Sequence, residues 1–147
     1  MLILTFYGSC SLLGSGVILA TICWTIANKQ LLYVDALGGD NKVEWLYAFD
    51  IHCNAFFTMF LSTHVLQYLL LPLLLGQSFL SCLAANSLHA FGLICYVYIT
   101  HLGYRSMSFL DRTQVFLYPI GVILLLWLLL VLFRLNMTRV VLWIYFA

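Results

Sequence analysis

Charge is what this sequence has least of. Lysine and arginine number 6 and aspartate and glutamate 5 in 147 residues, a net of +1. A balance so near zero excludes a strongly basic or acidic body, and nothing in it suggests the basic face on which counterion-driven nucleic-acid binding depends. Proline is scarce too, only Pro72 and Pro119, so little of the chain is barred from helix. The five cysteines, Cys10, Cys23, Cys53, Cys82 and Cys95, form no Cys-x-x-Cys pair and all fall in apolar runs. They read as small buried residues rather than a disulfide framework or a zinc site, and a single bridge stays compatible with their spacing.

Hydrocarbon fills the space that charge leaves. Hydrophobic residues make up 65% of the chain and the mean hydropathy is +1.07. A chain of this size cannot hide so much apolar surface in a water-soluble core, so it belongs in a bilayer. About 20 residues at ~1.5 Å each cross a ~30 Å hydrocarbon layer. The apolar runs then predict four crossings, at residues 2–27, 49–75, 79–100 and 114–133. The expected fold class is all-α, a polytopic membrane helical bundle with four transmembrane helices in one domain over 1–147.

The first run lacks a basic leader and exceeds the roughly 7 to 15 apolar residues of a signal peptide, so it is expected to stay in the chain. In it, Ser11/Ser15 and Gly16/Ala20 place small residues four apart, a spacing that lets a neighbouring helix approach. The second run should bend or stop near Pro72, and Gly76-Gln77-Ser78 makes a turn short enough to send the third back antiparallel. Pro119 falls in the first turns of the fourth. Loop 28–48, with a Gly38-Gly39-Asp40-Asn41 turn signal, and loop 101–113 lie on one side by parity. Lys29, Lys42, Arg105 and Arg112 sit there, against Arg134 and Arg139 in the tail 134–147. The positive-inside rule therefore places both loops in the cytosol and the tail in the lumen, with Trp143 and Tyr145 suited to an interface. Asn136-Met137-Thr138 is formally a glycosylation acceptor on that luminal side, but it lies very close to the membrane.

Polar residues in the central hairpin fall on helical faces, and centring the turn between Gly76 and Gln77 sets His64 level with His89 and His52 level with His101. The two levels are about 18 Å apart along a helix, so four histidines cannot share one ion. A His64/His89 pair would need further ligands, and Asn86 and Gln67 are poor ones. No metal, cofactor or catalytic set is expected. Interhelical hydrogen bonding, worth about 0.6 kcal/mol per bond, is the leading use of these side chains. The alternative is a small membrane transporter or membrane enzyme with a polar intramembrane core of Asp50, His64 and His89.

Polar and aromatic residues are densest from Val43 to Phe57, where Glu44, Asp50, His52 and Asn54 enter the mouth of an apolar run. Asp50 and His52 point about 200° apart on a helix and make no dyad, whereas Asp50 can reach Asn54 one turn on. Two readings stand side by side. One is an interfacial helix start, with Glu44 and Asp50 favoured by the helix dipole and aromatics in the headgroup belt. The other is a cytosol-facing docking surface for a soluble partner.

The run Glu44-Trp45-Leu46-Tyr47-Ala48-Phe49-Asp50-Ile51-His52-Cys53-Asn54-Ala55-Phe56 resembles the signature of the uncoordinated protein 50 family of eukaryotic Golgi membrane proteins. The similarity continues through His64-Val65-Leu66-Gln67, Leu102-Gly103-Tyr104 and Leu117-Tyr118-Pro119 and covers most of the chain. It implies a non-enzymatic multi-pass protein of Golgi and early-secretory membranes, with endoplasmic reticulum and inner nuclear membrane as further locations. It implies an adaptor role in vesicle traffic, recruitment of exchange factors for ADP-ribosylation-factor GTPases, surface delivery of nicotinic-type receptors, and no cofactor. On the same grounds Glu44, Trp45, Tyr47, Asp50, His52, Asn54 and His64 are candidate docking or structural residues. His89 and His101 lie outside the family pattern. Members of the family begin with an arginine-rich segment and one further helix, and this chain starts at what resembles their second helix. RNA, which has been linked to mammalian members, is accordingly not expected as a partner of this short form.

Overall fold

The computed structural model describes residues 2–32 and 42–146, excepting the side chains of residues 2–9, 11, 12 and 145. The Gly38-Gly39-Asp40-Asn41 turn signal and the side chain of Ser11 therefore lie outside the described residues.

The fold is all-helical, and among the described residues there is no strand, only an isolated antiparallel bridge between Leu32 and Leu110. Helix α1 is Leu2–Gln30 and α2 is Trp45–Phe60, which passes into a π-helical turn, Leu61–Val65. Short α3 (Leu66–Leu69) and α4 (Leu71–Leu74) follow, then α5 (Phe79–Arg105). A 3₁₀ turn, Thr113–Leu117, leads into α6 (Pro119–Leu132), and α7 is Met137–Phe146.

Helix ends depart from the apolar runs for identifiable reasons. Helix α2 begins at Trp45 rather than 49 because the Ala48 N–H bonds to Glu44 O at 3.2 Å, so the polar motif is itself helical. The second run is not one helix. In its π turn the Leu66 N–H reaches back five residues to Leu61 O, and the chain leaves helical geometry at Leu70 (φ −94, ψ 6) just before Pro72. Helix α5 continues past Thr100 to Arg105 through Gly103, because Ile51 packs where a glycine side chain would stand and the Tyr47 hydroxyl donates to Gly103 O at 3.2 Å. Pro119 sits in the first turn of α6, where its missing N–H costs nothing.

By contacts the chain forms two units, one of residues 1–57 and 97–117, the other of 58–96 and 118–147. The first has an apolar centre of Ala20, Ala27, Leu31, Val43, Ala48, Ile51, Tyr104 and Phe116, with Tyr104 and Phe116 stacked at 4.4 Å. Helix α1 meets α2 at Gly16, where an added Cβ would fall 2.9 Å from the His52 ring. The small-residue spacing at Gly16/Ala20 is thus used, since both are buried. The interior of the second unit is far more polar, with Ser62, Thr63, Gln67, Ser81, Asn86 and Thr138 buried beside Leu74, Cys82, Ala85 and Val131.

Two helical stretches among the described residues are long and apolar enough to cross a membrane, Phe79–Arg105 and Thr113–Leu132. Only 6% of the apolar window in the second is buried by protein, and Val122, Leu125, Leu126 and Leu132 are all exposed. A helix that is apolar all round and bare of protein is suited to lipid.

Candidate functional site

Helix α2 separates the motif residues by facing them differently. Three turn inward. Trp45 donates its indole N–H to Thr21 Oγ1 at 3.0 Å and stacks on Phe49 at 5.4 Å. The Tyr47 hydroxyl meets Gly103 O and Ser106 Oγ at 3.2 and 2.9 Å, which fastens α2 to the end of α5. His52 is only 3% exposed, between Phe49 and Phe56 (ring centroids 6.3 and 5.8 Å) and against Gly16.

The acidic and amide members face outward. Glu44, Asp50 and Asn54 are exposed, and Asn54 Nδ2 donates to Asp50 O (3.1 Å) and Oδ2 (3.3 Å), the one-turn pairing expected from their spacing. Leu46 (71% exposed) and Phe57 lie on the same helical stripe as Asp50 and Asn54. Both belong to the Val43–Phe57 stretch but are not among the candidate docking residues expected from the sequence. Their signal was the i, i+4, i+8, i+11 recurrence through Leu46, Asp50, Asn54 and Phe57.

His64 belongs to the other unit. It lies in the π turn, stacked on Phe60 at 4.8 Å with Nδ1 2.9 Å from Thr63 Oγ1. It shares a cavity of about 260 Å³ with His89, Met59, Met137 and Thr63. Asp50 is assigned to the first unit and His64 and His89 to the second, so a three-residue core of Asp50, His64 and His89 is not assembled within either.

Several anchoring contacts carried no signal in the sequence. Asn28 grips the main chain of Val43 twice, Nδ2 to Val43 O at 3.0 Å and Val43 N–H to Oδ1 at 2.8 Å, and the Trp24 indole N–H reaches the same carbonyl at 2.7 Å. His101 Nδ1 donates to Thr113 O at 2.9 Å across the 101–113 connection, and the Asp111 N–H bonds to Leu31 O at 2.7 Å. In the second unit Asn86 donates to Leu135 O (2.8 Å) and accepts from the Met137 N–H (3.0 Å), which holds the start of α7. Asn136 Nδ2 donates to Leu74 O at 2.8 Å and Thr138 is fully buried, so the formal glycosylation triplet is consumed in packing. Each of these contacts joins residues far apart in the chain, and no local pattern encodes it.

The sequence matches the UNC-50 family model over residues 1–146. It is 44% identical over 133 residues to Protein unc-50 homolog of Dictyostelium discoideum, covering 90% of this chain and 51% of that protein. It is 44% identical over 112 residues to Protein unc-50 of Caenorhabditis elegans, covering 76% and 36%, and 37% identical over 115 residues to Protein unc-50 homolog of Homo sapiens, covering 78% and 44%. The chain thus spans 51%, 36% and 44% of the length of these relatives. No solved structure matches it.

Proposed function

The chain belongs to the UNC-50 family, and on that premise we propose that it is a non-enzymatic adaptor of Golgi and early-secretory membranes. In this reading it acts in vesicle traffic and in surface delivery of nicotinic-type receptors by recruiting exchange factors for ADP-ribosylation-factor GTPases. Four crossings carry it: α1, the broken stretch from α2 to α4, α5, and the 3₁₀ turn with α6. The connections 28–48 and 101–113 face the cytosol and the tail 134–147 faces the lumen.

The observation that supports this reading best is the construction of α2. Trp45, Tyr47 and His52 lock the helix to α1 and α5, which leaves Glu44, Leu46, Asp50 and Asn54 displayed on a fixed backbone. A rigid helix bearing two carboxylates, an amide and an apolar side chain suits recognition of a protein, because little side-chain or backbone order is left to be lost on binding. A reacting centre, by contrast, would need these groups drawn into a cleft.

The test is proximity labelling in cells with the labelling enzyme inserted between Asp35 and Asp40. Exchange factors or coat components are expected among the labelled proteins, and a Leu46→Ala, Asp50→Ala, Asn54→Ala triple variant should lose them while keeping its location. A set confined to luminal proteins would overturn both the orientation and the adaptor role.

A further inference from the structure

The cavity of the second unit brings together side chains that carry lone pairs but no proton to offer one another. His89 Nδ1 lies 2.9 Å from Ala85 O, and a carbonyl can only accept, so the ring proton sits on Nδ1 and Nε2 keeps its lone pair. The same holds for His64 by a second step. The Thr63 hydroxyl has a single proton; with it donated to Met59 O at 2.8 Å, the 2.9 Å contact with His64 Nδ1 is donated by the ring. His89 is thus fixed with Nε2 as the lone-pair nitrogen, and this hydrogen-bond pattern gives His64 the same tautomer.

Holding one ring nitrogen with a carbonyl or hydroxyl while the other is left to ligate is how proteins orient metal-binding histidines. Nε2 of His89 is shut off from water and has no hydrogen-bond partner. A buried polar atom left in that state costs about 1–3 kcal/mol, a cost that a ligand on this nitrogen would remove. Met59 and Met137 line the same cavity, and a thioether offers lone pairs only. The rest of the wall is mostly aliphatic.

The local backbone serves the same arrangement. The π turn sets Thr63 and His64 at an angle that a regular α-helix would not give, and such turns recur at functional sites. Gly92, one turn beyond His89 on α5, lets the two segments approach, since a Cβ there would fall 2.6 Å from Thr63 Cγ2.

We propose that this cavity binds Cu(I), with His64 and His89 as nitrogen donors and Met59 and Met137 as sulfur donors. Soft thioether and imidazole ligands select this ion. Zinc sites need thiolate, carboxylate or a larger histidine set, and among the described residues no group of three His, Cys, Asp or Glu side chains comes together. Four neutral ligands add no charge of their own, so the site would carry the single positive charge of the ion, a far smaller burden in an apolar setting than a divalent cation.

The experiment is anaerobic titration of Cu(I) into the purified, metal-free full chain in detergent, in competition with a chromophoric Cu(I) chelator. It is run on the natural sequence and on a variant with all five cysteines changed to alanine, which removes competing thiolates. One equivalent bound by both proteins, with X-ray absorption showing mixed nitrogen and sulfur ligation, is the expected result. His64→Ala with His89→Ala should weaken binding at least ~100-fold, and Thr63→Val, which leaves all four ligands in place, about 10- to 100-fold. Failure of the cysteine-free protein to bind one equivalent, binding that survives the double histidine change, or a sulfur-only spectrum would each overturn the site. Circular dichroism and a monodisperse elution profile distinguish lost ligation from lost folding.

Discussion

The two units of this chain solve the same problem with interiors of different polarity, although the first also buries His52, Thr100, His101 and Thr113. The first is centred on alanines, Leu31, Val43, Ile51 and the Tyr104–Phe116 stack, while the second hides Ser62, Thr63, Gln67, Ser81, Asn86 and Thr138. In water the second would be the odd one. In lipid, apolar side chains gain little by moving from hydrocarbon to protein, and it is polar groups that must be given partners. The contrast is one of degree: both halves bond side chains to particular carbonyls, through Asn28, Tyr47 and His101 in the first and Asn86 and Asn136 in the second, but only the first sets them around an apolar centre.

The largest effect should come from the apolar half. Tyr104→Ala opens a cavity against Phe116 and should cost about 3–5 kcal/mol, read from unfolding of the detergent-solubilised protein by SDS titration. No loss there would mean that packing does not hold the first unit. In the polar half, Asn86→Leu keeps the volume but strands Leu135 O and the Met137 N–H. Each stranded group should cost about 1–3 kcal/mol, and hydrogen exchange should rise at the start of α7 before anywhere else.

The four histidines sharpen the comparison further. His101→Leu removes the donor to Thr113 O and should cost about 1–3 kcal/mol. His89→Leu in metal-free protein removes a partnerless buried Nε2 and an Nδ1 bond to Ala85 O, a carbonyl inside α5 that the helix itself also serves, so it should cost less, no more than about 0.5–1.5 kcal/mol. Equal losses from these two changes would erase the distinction drawn between the histidines. The smallest effect belongs to Arg112→Ala. Its 3.8 Å pairing with Asp111 is exposed on both sides, and its removal should move the unfolding midpoint by no more than about 0.5 kcal/mol.

Helix content was legible because long uncharged runs have one solution in lipid, and α1, α5 and α6 lie where those runs lie. The π turn at Leu61–Val65 was not, since an extra residue in one turn leaves no mark on composition. Helix α7, Met137–Phe146, falls in what the sequence marks only as a tail, 134–147. Its order comes from Asn86, 49 residues before Leu135 in the chain. The candidate motif was visible as a cluster, but not the division within it. Which of Trp45, Tyr47 and His52 turn inward depends on Thr21, Gly103 and Gly16, all far off in sequence. The level pairing of His64 with His89 was readable from helix periodicity, whereas Met59 and Met137 as their companions required the fold.

The grip of Asn28 and Trp24 on Val43 carries a practical consequence. It brings the far end of the 28–48 connection back to the helix it left, so the loop is closed at its base by bonds that owe nothing to its tip. Lengthening a loop whose ends are already pinned costs only about 0.6 kcal/mol per doubling. An epitope or a folded reporter grafted between Asp35 and Asp40 is therefore expected to leave the Asn28 and Trp24 bonds to Val43 in place, which makes this connection a place from which to watch the molecule in cells.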